Sequence, residues 1–197
     1  MTIRTYADTL SFNGEQYSIK AACSNEENRM PTSEQIIVKR VTELVAADSV
    51  SSPDPSWDSS NRRVINHLHD YAQRDGWAVD IHELESTADG KANLIATLGN
   101  TDNLGDEPAG LVLSGHTDTV PFDAGGWASD PLKLTEQDGR LYGLGSTDMK
   151  GFFAAALEAA SVFDPAKFKA PLYLLATADE ESTMRGARSL TKAQLPL

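Results

Sequence analysis

The sequence is poor in cysteine and in basic residues, and both shortages exclude classes of protein. The single cysteine, Cys23, has no partner for an internal disulfide bond, which is typical of a reducing compartment. Lysine and arginine number 17 against 29 acidic residues, so the net charge is −12, and no basic cluster occurs. Such a chain lacks the positive surface that binds nucleic acid or anionic membranes. We therefore expect neither nucleic acid nor a membrane as a partner.

Long apolar runs are also missing. No stretch reaches the length of a membrane-spanning helix, and the N-terminal residues lack the apolar core of a secretory signal. Hydrophobic residues nevertheless make up 40% of the 197 positions, which is enough to bury a core. We expect a globular protein of the cytoplasm.

Two common catalytic signatures are absent as well. The glycines at 143, 145 and 151 do not have the spacing of the Gly-x-Gly-x-x-Gly dinucleotide fingerprint, and no Gly-x-Ser-x-Gly motif occurs. Neither a dinucleotide cofactor nor a serine nucleophile is predicted. Glycine at these positions favours a backbone that passes close to an ion or substrate, or simple turns.

The stretch that is most informative about chemistry is residues 111–120. An apolar run, which predicts a buried strand, ends here in His116 and Asp118. In open α/β sheets, ligands bind at the carboxyl ends of the strands. A carboxylate two residues from a histidine can hold one ring nitrogen, so that the other faces a metal ion. The His-x-Asp pair also occurs in ordinary solvated loops, so it needs support from the rest of the chain.

That support comes from two later segments. Asp148 stands where a predicted helix begins, and the apolar strand predicted over residues 171–178 leads directly into Asp179, Glu180 and Glu181. Three consecutive acids are costly to bury without partners. Two parallel strands with a helix between them bring their carboxyl ends to one crevice. We therefore predict an α/β three-layer sandwich with a largely parallel central sheet, and one site that collects these side chains.

The chemistry that fits such a site is metal-dependent hydrolysis. One imidazole, a shared carboxylate and a terminal carboxylate suit two adjacent divalent ions, most naturally zinc. Two ions that share a carboxylate activate a water molecule for attack on an acyl carbon. One of the paired glutamates would then accept the proton of that water while the other binds metal.

Three segments resemble the signatures of the dizinc aminoacylase and deacylase family, in the same order along the chain. They read Ser-Gly-His116-Thr-Asp118-Thr-Val-Pro, Gly-Ser-Thr-Asp148-Met-Lys-Gly and Ala-Asp-Glu180-Glu181. The resemblance implies two zinc ions, with cobalt as a possible substitute. It makes His116 a ligand of one zinc ion, Asp148 the bridging ligand and Glu181 a ligand of the other. Asp118 would orient the histidine, and Glu180 would be the general base.

The resemblance also implies a reaction and a substrate. The family hydrolyses the amide bond of N-acyl amino acids, and the residues around the motifs are most similar to members that act on N-acetylornithine in arginine biosynthesis. A succinyl-diaminopimelate desuccinylase and a related aminoacylase or carboxypeptidase stay open as alternatives. The partner would be this small molecule, and the full-length form would be a homodimer.

The domain expectation follows from the extent of the resemblance. Residues 1–30 lie outside it, and we predict no function for them beyond a hairpin around Asn13-Gly14. Residues 31–197 would form the N-terminal part of the dizinc catalytic domain, without the lid and dimerisation domain or the C-terminal part that supplies two further ligands. The 197-residue chain is therefore expected to be inactive, or to act at most as a binding module.

Overall fold

A computed structural model describes residues 9–12, 15–18, 30–84, 90–101 and 110–191 of the chain. The chain divides into two compact units, Met1–Pro31 and Thr32–Leu197. In the first unit, β1 (Thr9–Phe12) pairs antiparallel with β2 (Glu15–Ser18), in agreement with the predicted hairpin. The Asn13-Gly14 turn itself lies outside the described residues.

The second unit contains the helices and the main sheet. Its helices are α1 (Ser33–Ala46), α2 (Arg62–Arg74), α3 (Lys150–Ser161) and α4 (Arg185–Leu190). Its strands are β3 (Ala78–Glu83), β4 (Ala92–Leu98), β5 (Leu111–His116), β6 (Thr135–Gln137), β7 (Arg140–Tyr142) and β8 (Leu172–Thr177). In the part of the chain that the structure describes, no helix combines the length and the apolar composition that a membrane crossing requires.

Local signals in the sequence fix the ends of the first two helices. Thr32 caps α1: its Oγ1 accepts the backbone N–H of Gln35, whose Oε1 accepts the backbone N–H of Thr32 at 2.9 Å. Beyond α2, Gly76 adopts a φ of +85°, a conformation that glycine reaches without steric cost. Asn61, which precedes α2, bonds both the N–H and the carbonyl of Ala92 and so ties this helix to β4.

The main sheet is mixed. Among the strands that the structure describes, the order is β3-β4-β8-β5 and only the β5–β8 pair is parallel; β3–β4 and β4–β8 are antiparallel. The α/β class is therefore confirmed, but the expectation of a largely parallel sheet is wrong. The physical reason lies in the connections: α3 crosses between β5 and β8, whereas only eight residues separate β3 from β4, too few for the crossover that a parallel pair needs.

The hydrophobic core lies between one face of this sheet and helices α1, α2 and α3. It is formed by alternate residues of β4 and β8 and by the apolar stripes of the helices, with fully buried members Leu44, Val45, Val64, Ile65, Leu68, Leu94, Phe153, Leu157 and Leu174. On the other face, Asn93 of β4 donates to the carbonyl of Gly186 at 3.0 Å and accepts the N–H of Ala178 at 3.1 Å. This residue joins the sheet to α4.

Strand β5 is less buried than its apolar sequence predicts. Leu111 is 61% exposed and Val112 is 42% exposed. The reason is its place in the sheet, because β5 lies at the edge and pairs with β8 alone among the described strands. The predicted burial is reached only at its carboxyl end, where Gly115 and His116 are buried.

Candidate metal site

The candidate site lies where β5 and β8 end. His116 pairs with Thr177 in the parallel register, and the N–H of Thr117 donates to the Thr177 carbonyl at 2.8 Å. The chain segments 116–118 and 179–181 therefore leave the sheet side by side, as the sequence predicts. Asp148 reaches the same place from the segment that enters α3, and the Asp148–Met149 peptide bond is cis.

His116 presents one ring nitrogen to the carboxylates. Its Nδ1 lies 3.1 Å from the backbone carbonyl of Asp118, which can only accept, so Nδ1 carries the proton. Its Nε2 lies 3.0 Å from Oδ1 of Asp148 and 4.0 Å from Oε2 of Glu180. Two lone pairs at 3.0 Å are stable together only with a proton or a cation between them. This geometry fits a metal ligand.

The two glutamates complete a donor set. Ligand atoms of His116, Glu180 and Glu181 all lie within 4.8 Å of one another. Burial raises the pKa of Glu181, and the charges of Asp148, Glu180 and Asp118 raise it further, although His116 lowers it. Because a bound cation would offset this repulsion, the residues present fit a divalent metal. Imidazole and carboxylate ligands are those that zinc takes in hydrolytic sites.

Asp118 holds the glutamates as well as the histidine. Its side chain is 2% exposed; Oδ1 accepts the backbone N–H of Glu180 at 3.2 Å and Oδ2 accepts that of Glu181 at 3.0 Å. Its Oδ1 lies 3.8 Å from Nδ1 of His116, so the closer contact of that ring is the carbonyl. Burial raises the pKa of Asp118, while the two N–H donors lower it. The sequence pattern predicts only the contact with the histidine.

Lys150 is a further residue that the sequence analysis missed. It is fully buried, and its Nζ donates to the carbonyl of Ala47, just beyond α1, at 2.7 Å. Burial lowers the pKa of Lys150 to about 8. The side chain fastens the start of α3 to the end of α1 and so fixes the segment that carries Asp148. The sequence offered no signal for this, because a lysine after a candidate ligand ordinarily lies on the surface.

Two cavities open beside the candidate ligands. One of about 810 Å³ is lined by Asp148 and Glu181 together with Trp127 and Tyr142. The other, of about 520 Å³, is mainly apolar and is lined by a set that includes His116, Glu180, Met149, Leu175 and Met184. The wall of the first cavity includes Gly145, which has a φ of +77°, and a Cβ there would lie 2.8 Å from Thr119. This position therefore requires glycine.

The domain is mixed α/β, and it gathers an imidazole and acidic side chains at the ends of two parallel strands. This is the arrangement of a metal-dependent hydrolase. The sequence agrees, since residues 112–196 match Peptidase family M20/M25/M40. The chain therefore carries a peptidase M20 domain, as the three motifs predict.

Relatives in this family extend the likeness toward the N-terminus. The acetylornithine deacetylase of Vibrio campbellii is 50% identical over 149 residues, which are 76% of this chain and 37% of that protein. The acetylornithine deacetylase of Photorhabdus laumondii is 51% identical over 146 residues, which are 74% of this chain and 36% of that protein. The chain thus spans little more than a third of the length of these curated relatives.

Solved structures give the same fold. Human carnosine dipeptidase 1 is 27% identical and superimposes with a TM-score of 0.63 over 79% of this chain and 34% of its own. The di-peptidase Dug1p of Saccharomyces cerevisiae, at 20% identity, has a TM-score of 0.60 over 79% of this chain and 34% of its own. The second likeness concerns the fold alone.

Proposed function

We propose that this chain is part of a zinc-dependent deacylase that hydrolyses N-acetylornithine to ornithine and acetate, as a step of arginine biosynthesis. The observation that carries the proposal is the identity of about half the residues with acetylornithine deacetylases over 149 positions. The donor set around His116 supports it, because a Lewis acid and a base in one site are one established means of hydrolysing an unactivated amide.

In this proposal His116, Asp148 and Glu181 hold the metal. His116 and Glu181 would each be a terminal ligand of one of two zinc ions, for which cobalt could substitute, and Asp148 would be the ligand that the two ions share. The metal would supply Lewis acidity, which favours loss of a proton from water and polarises the acyl carbonyl. The Asp118 carbonyl keeps the proton of His116 on Nδ1, so that Nε2 stays free to bind.

Glu180 is the proposed general base. Its side chain is 46% exposed at the crevice, and Oε2 lies 4.0 Å from Nε2 of His116, so its carboxylate is open to a water molecule beside the ligands. It would accept the proton of the attacking water at a carboxylate oxygen and pass it to the amide nitrogen that leaves. Asp118 sets the direction of this side chain by accepting the backbone N–H of Glu180.

A dipeptidase activity is the second candidate. Human carnosine dipeptidase 1 shares the fold at 27% identity, and the same groups would cleave a peptide bond by the same steps. A desuccinylase or another aminoacylase would differ only in the acyl group and amino acid that bind. The fragment hypothesis belongs to a different class: the chain alone would bind metal or substrate without turnover.

The test is to express two proteins separately: the product of the complete open reading frame that contains these residues, and the 197-residue chain. Both proteins are assayed with zinc on N-acetylornithine, N-succinyl-diaminopimelate and a dipeptide. We expect the highest kcat/KM on N-acetylornithine for the complete product, and little turnover by the chain alone. A higher kcat/KM on either other substrate would overturn the choice of substrate. The proposal also expects the complete product to be a homodimer in the cytoplasm; gel filtration tests the dimer, and cell fractionation tests the location.

A further inference from the structure

A buried cluster of charges lies next to the candidate ligands but outside them. Nζ of Lys91 lies 2.6 Å from Oδ1 of Asp179 and 2.7 Å from Oδ1 of Asp58. The side chains of Lys91 and Asp179 are each 3% exposed. Burial by itself lowers the pKa of Lys91, but hydrogen bonds and ion pairs with the two carboxylates outweigh burial, and the pKa is raised. Lys91 is therefore a charged residue in the interior.

Asp179 is the residue through which this cluster reaches the site. It has a φ of +60°, in the left-handed region that residues with a side chain seldom adopt. A backbone of this kind persists when its surroundings hold it. Here Ser51 donates to Oδ1 at 3.1 Å, Arg185 lies 3.6 Å from Oδ2, and the carbonyl accepts the N–H of Thr183 at 3.1 Å.

The left-handed residue sets the direction of the two residues that follow. Glu180 and Glu181 turn their backbone N–H groups toward the carboxylate of Asp118. Their side chains then lie beside His116. The turn of residues 179–181 is therefore held from two sides. Asp118 accepts its N–H groups, and Lys91 binds the side chain from which it starts.

We propose that Lys91 is a positioning residue: through Asp179 it holds the Glu180-Glu181 turn in the geometry that binds metal. This inference rests on the proposed function, in which these glutamates serve as base and ligand. Lys91 lies 88 positions before Asp179 in sequence and directly precedes β4, so the sheet itself carries the contact. Removing a group that orients a metal ligand typically weakens metal binding by about 10–100-fold.

A matched control exists in the ion pair that joins α1 to the end of α2. Arg40 of α1 binds both carboxylate oxygens of Asp75 beyond α2, at 3.0 and 2.8 Å, and these side chains are 11% and 15% exposed. This ion pair is nearly as buried as that of Lys91, but it contacts none of the candidate ligands. Replacing Arg40 therefore measures what the loss of a buried ion pair does to stability alone.

The experiment compares Lys91→Met, Lys91→Arg and Arg40→Met in the 197-residue chain. Amide hydrogen exchange of residues 180 and 181 is measured by NMR without metal, and zinc affinity is measured by calorimetry. Since Lys91→Met removes the closest charged partner of the buried Asp179 carboxylate, the double variant Lys91→Met/Asp179→Asn is included in case the single variant does not fold.

We expect Lys91→Met or the double variant to speed exchange of the two amides by at least about tenfold and to weaken zinc binding by about 10–100-fold. Lys91→Arg keeps the charge, so it should recover most of the wild-type protection of the two amides and most of the zinc affinity. Arg40→Met should lower the free energy of unfolding and leave the exchange of the two amides and the zinc affinity unchanged.

Lys91 variants whose two amides exchange as in the wild-type chain would overturn the proposal and make the ion pair purely structural. A wild-type chain that binds no zinc would instead count against the proposed metal site. In that case the exchange rates still decide whether Lys91 holds the turn.

Discussion

The substitution Asp118→Asn tests how far the metal site depends on the two hydrogen bonds that Asp118 accepts. Asparagine keeps one acceptor oxygen and places an NH₂ group against the N–H of Glu180 or Glu181, at a side chain that is 2% exposed. Losing a hydrogen bond to a charged group at a buried position costs about 1.5–3 kcal/mol. We expect a loss of that size in the free energy of unfolding, measured by urea denaturation.

The same loss should appear in metal binding, because the displaced turn carries Glu180 and Glu181. A cost of about 1.4 kcal/mol is tenfold in an equilibrium constant. We therefore expect the zinc affinity of the chain to fall by roughly 10–100-fold, as calorimetry measures it. The control is Asp75→Asn, which weakens a largely buried ion pair that contacts none of the candidate ligands and should lower stability alone. A zinc affinity equal to that of the wild-type chain would refute the reasoning and remove Asp118 from the site.

Three further predictions concern separate parts of the protein. In the complete reading frame, Glu180→Gln should keep metal affinity and lower kcat by about 10²–10⁴-fold, and a loss of metal would recast Glu180 as a ligand. Gly186→Ala should lower the free energy of unfolding in urea by about 1–3 kcal/mol, because the new Cβ would lie 2.5 Å from the backbone of Ala178. An unchanged urea midpoint would contradict this packing. Burial and the Glu43 carboxylate raise the pKa of Tyr71. Above about pH 10 the Tyr71 hydroxyl therefore stays protonated in the folded state and ionises in the unfolded state, so the free energy of unfolding should fall as the pH rises. Tyr71→Phe should remove that fall in urea melts across this range, and an equal fall in both proteins would contradict the assignment.

The elements that carry the site were predictable because their signals are local. The apolar runs that became β5 and β8 each follow from neighbouring residues. The crossover helix between two such strands also predicts that their ends meet, and the structure places residues 118 and 180 in hydrogen-bond contact.

The strand directions and the buried lysines depended on contacts between residues far apart in the sequence, which the spacing of motifs does not encode. The sheet was expected to be largely parallel because a buried antiparallel strand such as β4 has the same continuous apolar sequence as a parallel one. Likewise, Lys91 and Lys150 carry no local mark of burial, since their partners Asp179 and Ala47 lie 88 and 103 positions away. Lysine is ordinarily a surface residue, and only tertiary packing makes these two internal.

The central claim is that His116 and the acidic residues beside it bind a divalent metal, and a zinc titration of two variants tests it most directly. His116→Ala removes the imidazole of the candidate site, whereas His69→Ala removes an imidazole whose contact is Asp70 on the surface of α2. Calorimetry should detect zinc binding by the wild-type chain. The zinc affinity should be at least about tenfold weaker in His116→Ala and unchanged in His69→Ala. Equal affinities for the wild-type chain and His116→Ala would contradict the claim.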